Sequence, residues 1–312
     1  MSKINIYLPI IFCVLFIGII TSCKKSDDSS SQTDGLPPET WQEHWFEHSS
    51  YLTRTYYNDE IAVYYDEYMP KSVTWPNTVM SDVWAYTKKT YGDFGTDPRL
   101  FLVFHLVGSN STGIEGGGHP ASYFDASHDY HNTIDCGLGD WTNPTGEALG
   151  IPVHEIGHIV CGASHGVQGS PSDVLWGDSK FMEIFIYDVY ANIGKQDAAD
   201  EIYAQMQNQY DDFPKPHSQW FKNWFYPIYT NYGKGAVLNK YFALLAENFP
   251  KKNNGKEFSR NLNWGEFIHF WSGAAGVDLK AQAITAFGWS TEWQAMLDNA
   301  REDFPNVKYP HN

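Results

Sequence analysis

The chain has 312 residues, with 21 Lys plus Arg against 37 Asp plus Glu, a formal net charge of −16. Such acidity argues against a nucleic-acid-binding surface. Beyond Ile20 no apolar run is long enough to span a bilayer.

At the N-terminus, Lys3 precedes an apolar run from Ile4 to Ile20, and Thr21-Ser22 lead into Cys23. A positive start, a short apolar core and a small-residue exit read as a secretory signal over residues 1–22. Ile20-Thr21-Ser22-Cys23 resembles a bacterial lipobox, which implies lipid attachment at Cys23 and no other membrane contact. Residues 23–38 are rich in Ser, Asp and Lys and read as a disordered tether. Ser26-Asp27-Asp28 resembles an export tag of outer-membrane lipoproteins, leaving periplasmic and surface display both open.

Residues 39–312 read as one domain, rich in strand to about residue 150 and helical over 151–312. Trp41, Trp45 and Phe46 stand at helical spacing, Ile61–Tyr65 is strand-like, and Asp82–Tyr91 reads as a helix. Leu100–Val107 is apolar throughout, the pattern of a central strand. Short strands are expected at 121–125 and 132–136, with a glycine-rich loop between Gly113 and Gly118 that suits an edge over a cleft. A helix is expected from about Pro152 to Gly162. Further helices are expected over 180–193, 198–210, 219–232, 236–248, 264–275, 279–287 and 291–302. Strands first and helices afterwards give an α+β order. Cys136 and Cys161 are the cysteines left after the signal and Cys23, and either a disulfide or two buried thiols fits them.

His154-Glu155-Ile156-Gly157-His158 carries the chemistry. Two histidines four apart lie on one helical face and can hold one ion, with Glu155 placed as general base for zinc-activated water. Catalytic zinc takes three protein ligands. Glu183, a carboxylate on an otherwise apolar helix, is the favoured third; His165 is the rival. Asp173, Asp178 and Asp188 are lesser candidates, with Asp178 or Asp188 better suited to orienting a ligand histidine. Tyr226, Tyr229, Tyr232 and His217 are the candidate oxyanion donors, with nothing to choose between them. His119, with His128 and His131, is a candidate for a second metal or substrate site.

With these residues in view, the chain resembles zincin metallopeptidases of the gluzincin type, His154, His158 and Glu183 matching the HExxH-plus-distal-Glu arrangement. The stretches Trp264–Trp271, Ala275–Leu279 and Phe287–Trp289 look like the helical tail of enhancin- and mucin-directed bacterial members. The resemblance implies a zincin-like fold, with a small mixed sheet, then the HExxH helix, then helices. It also implies a zinc-dependent endopeptidase acting on peptide or glycoprotein from a lipid-anchored place in the cell envelope. Two other readings are a glycan- or protein-binding surface lipoprotein that has lost catalysis, and a metal-dependent amidase acting on cell-wall peptide.

Overall fold

Continuously buried runs at the centre and partly exposed strands at the edges build a six-stranded sheet in the first half of the chain, and most of the helices follow it. The computed structural model describes residues 35–46, 48–106, 114 and 116–311. The signal segment, Cys23 and most of the tether therefore lie outside the described residues, as does Val107. The chain divides into Met1–Leu36 and Pro37–Asn312, and every element belongs to the second unit.

The strands are β1 (Thr40–Gln42), β2 (Tyr51–Tyr57), β3 (Ile61–Tyr65), β4 (Leu100–Leu106), β5 (Gly118–Ala121) and β6 (Asn132–Gly139). The sheet order is β1-β2-β3-β4-β6-β5. β3, β4 and β6 run parallel at its centre, while β1, β2 and β5 pair antiparallel toward the edges. The apolar run 100–106 is fully central, as its pattern implies. Trp41 and Trp45 are not helical: Trp41 lies in β1, and both rings pack with Tyr64, Phe101 and Val103 on one face of the sheet. β2 escapes a periodicity search because its outward positions include Tyr51 and Tyr57, which are exposed aromatics.

The helices cover the other face and continue beyond it. They are α1 (Trp75–Tyr91), α2 (Glu147–Ala163), α3 (Asp173–Trp176), α4 (Lys180–Asn192), α5 (Gln196–Met206), α6 (Tyr226–Asn231), α7 (Gly235–Asn248), α8 (Trp264–Ala275), α9 (Lys280–Phe287) and α10 (Thr291–Asp303). α1 begins a full two turns before Asp82 because Pro76 sits in its first turn, where the missing N–H costs nothing. A π-helical turn at Phe221–Phe225 leads into α6. α8 has the limits its sequence suggests: Asn263 and Glu266 close a reciprocal capping box and Gly276 ends the helix in the left-handed region.

This is an α+β arrangement, a mixed sheet followed by helices. Two boundaries near the motif differ from the sequence reading. α2 starts at Glu147, so Pro152 lies inside it, and β5 occupies 118–121 rather than 121–125. Cys136 and Cys161 are both buried free thiols.

Candidate metal centre

α2 places Ile156, Ile159 and Val160 in the core, which turns His154 and His158 toward the open side. Gly157 faces α4 at close range: a Cβ there would stand 3.1 Å from Met182 Cγ and 3.2 Å from Phe185 Cδ1. The helix carrying the motif is thus seated against α4. His154 Nε2 and His158 Nε2 are 3.2 Å apart. Asp178 closes the triangle, with Oδ1 3.1 Å from His158 Nε2 and Oδ2 3.7 Å from His154 Nε2. His154, His158 and Asp178 form a group able to share one ion.

The donor set fits a divalent ion. Burial lowers the pKa of both histidines, which keeps them neutral with a lone pair to offer. Two facing Nε2 atoms with a carboxylate beside them match the imidazole and oxygen ligands of zinc. Asp178 stands in the α3–α4 connection, after Gly177, whose φ of 62° and ψ of −160° lie in a region open essentially to glycine.

Glu155 is only 7% exposed. Burial, with the Asp178 charge adding to it, pushes its carboxyl up to about 7. Glu155 and His154 line a cavity of about 790 Å³ together with Gly118, Tyr190 and Glu201.

The other sequence candidates are placed differently. Glu183, on α4, is not in the group that converges on the two histidines. Burial pushes its carboxyl up to about 7, with Lys180 and Asp211 as the nearby charges. His165 does reverse the chain, at φ 56°, but its Nε2 lies 2.7 Å from Asn239 Oδ1 on α7, outside the triangle. Asp188 is held by the hydroxyls of Tyr86 and Tyr91, at 2.9 and 3.0 Å. Tyr226, Tyr229, Tyr232 and His217 do not line the cavity over Glu155, whereas Tyr190 does. Of the loop histidines, His119 Nε2 and His128 Nε2 meet at 3.2 Å, while His131 stacks on Phe101.

A second group escaped the sequence reading. Glu43, His48, His105 and Asp135 also present ligand atoms to one another. The signal was there in part: His105 and Asp135 interrupt buried strands, and isolated buried charge is costly. Their partners on the β1–β2 connection were not legible.

No protein-family model matches this chain, and no curated protein matches it significantly.

Proposed function

We propose that the protein is a zinc-dependent peptidase whose ion is held by His154, His158 and Asp178 and whose general base is Glu155. One observation carries this reading: a carboxylate buried beside two neutral histidines, opening into a cavity beneath a strand edge. Held by these three residues, zinc would supply Lewis-acid polarisation of a carbonyl and would acidify a water there. Glu155, buried next to His154 and lining the same cavity, would accept a proton from that water at its carboxylate and return it to the leaving amine.

The substrate class follows from β5. Among the described residues it is the last strand of the sheet, paired on one side only with β6, and Gly118 of β5 lines the Glu155 cavity. An unpaired strand edge accepts an extended peptide through main-chain hydrogen bonds, which would align a scissile bond over Glu155. An arrangement of sheet edge, HExxH helix and cleft is what a zincin-like fold would present. We place the protein on the exported side of a bacterial envelope, anchored by lipid at Cys23, on the sequence of residues 1–23.

The test is hydrolysis of a mixed peptide library by the zinc-loaded protein, by the same protein treated with 1,10-phenanthroline, and by Glu155→Gln. The expected result is cleavage only by the first, with zinc still bound to the variant and its rate lower by about 10²–10⁴-fold. Cleavage by Glu155→Gln at the unaltered rate would overturn the assignment.

A further inference from the structure

The group on the opposite face of the sheet from α2 is the most unusual feature outside the proposed active centre. His105 of β4 and Asp135 of β6 are fully buried, Glu43 is 2% exposed, and His48 covers them from the β1–β2 connection. His105 Nε2 stands 2.9 Å from Glu43 Oε1 and 3.2 Å from Asp135 Oδ1. His48 Nδ1 stands 2.9 Å from Asp135 Oδ2 and 3.7 Å from Glu43 Oε1.

Three of these atoms have no hydrogen bond despite their closeness. Glu43 Oε1, His105 Nε2 and Asp135 Oδ1 are each buried without a directed partner. Buried polar atoms left without a hydrogen bond call for another partner, and the point between these three is where a shared ion would meet them. Donors bound at about 2.0–2.2 Å to one tetrahedral ion stand about 3.3–3.6 Å from each other. The His105–Glu43, His105–Asp135 and His48–Glu43 contacts, at 2.9, 3.2 and 3.7 Å, straddle that separation, while His48 Nδ1 and Asp135 Oδ2 share a hydrogen bond at 2.9 Å.

The remaining bonds of the four side chains orient them toward that point. His105 Nδ1 is 3.0 Å from Asp66 Oδ2, and Asp66 Oδ1 accepts the N–H groups of Tyr68 and Met69. A carboxylate behind the far nitrogen is the usual support of a metal-binding histidine. Glu43 Oε2 accepts the Ser50 N–H, and Asp135 Oδ2 accepts the Trp45 indole N–H. A cavity of about 200 Å³ lined by Phe46, His48, His119 and Asp135 gives access from outside.

We propose that Glu43, His48, His105 and Asp135 form a second, structural metal site for a divalent transition ion of the zinc class, which ties the β1–β2 connection to the centre of the sheet. Two imidazoles select against calcium and magnesium, and the two carboxylates neutralise a dication. The site is separate from the α2 triangle: Gly118 of β5 faces Glu155, whereas its neighbour His119 faces Asp135 on the other side of the strand.

The experiment uses the full chain carrying His154→Ala and His158→Ala, which removes the α2 triangle and leaves the second group untouched. Zinc is titrated into this variant after dialysis against dipicolinate, with bound metal measured by elemental analysis and stability by thermal unfolding. The expected result is one equivalent of zinc, with a higher unfolding temperature on loading. Adding His48→Ala, at the cluster's outermost ligand, should weaken that zinc at least about 100-fold while circular dichroism stays that of a folded protein. No zinc uptake by the folded double variant would overturn the proposal and leave a proton-balanced network only. Unchanged affinity after His48→Ala would overturn it equally, by placing the zinc elsewhere. The proposal does not depend on peptidase activity, since neither readout is a rate.

Discussion

Gly118 lies directly against Glu155. A Cβ built on Gly118 would stand 2.9 Å from Glu155 Cγ and 3.2 Å from its Oε1, with Ile151 Cγ2, one turn earlier on the same face of α2, at 3.0 Å. The edge strand is therefore seated on the proposed base, and only a residue without a side chain fits there. Gly118→Ala should push the flexible Glu155 side chain aside rather than unfold the protein. We expect kcat/KM on a peptide substrate to fall on the order of 10–100-fold, because a displacement of about 1 Å at a reacting group costs that much. Zinc content and unfolding temperature, measured alongside, should stay near those of the parent.

Asp178 tests the ligand set without disturbing the core. Its side chain is 79% exposed, so Asp178→Ala should change the metal-free stability by no more than about 0.5 kcal/mol. Zinc affinity, read by competition with a chromophoric chelator, should nevertheless fall at least about 10-fold. If Asp178→Ala binds zinc as the parent does while Glu183→Gln does not, the third ligand is Glu183 and our assignment fails.

The contrast between these two residues shows what the sequence made legible. His154 and His158 could be paired from spacing alone, because a helix fixes which face residues four apart share. α8 could be bounded because Trp264–Ala275 is apolar nearly throughout and is flanked by Asn263 and Gly276, which cap it. Asp178 could not be placed, since its position depends on a turn at Gly177 and on how α3 leads into α4. The second cluster was less visible still. Its four ligands come from the β1–β2 connection, β4 and β6, and only sheet pairing brings them together. The pattern of one strand shows which of its residues share a face, but not which distant strand lies beside it.

Glu183 should report on pH instead of metal. Burial raises its folded-state pKa to about 7 from an ordinary 4.5. The folded protein therefore holds this proton more tightly than the unfolded chain does. The stability it contributes is fully present below about pH 4.5 and is lost as pH rises through 7. Between pH 4.5 and 8 this one group should cost on the order of 2–3 kcal/mol. Glu183→Gln removes the titration, so urea unfolding at pH 5 and pH 8 should differ less in the variant than in the parent. An equal pH dependence in the two proteins would show that the Glu183 carboxyl is not desolvated enough to hold its proton.

Gly177 links the fold to the proposed metal centre. Its φ of 62° with ψ of −160° is a conformation that any side chain strains, at about 1–3 kcal/mol. No heavy atom would lie within 4 Å of an added Cβ, so the cost is backbone strain and not a clash. Gly177→Ala can relieve that strain only by re-forming the turn that delivers Asp178 to His158. Two losses should then appear together, a lower unfolding temperature without metal and a weaker affinity for zinc. The pairing separates this variant from Asp178→Ala, which should lose affinity alone. A Gly177→Ala protein destabilised but binding zinc with parental affinity would mean that the turn does not position the ligand.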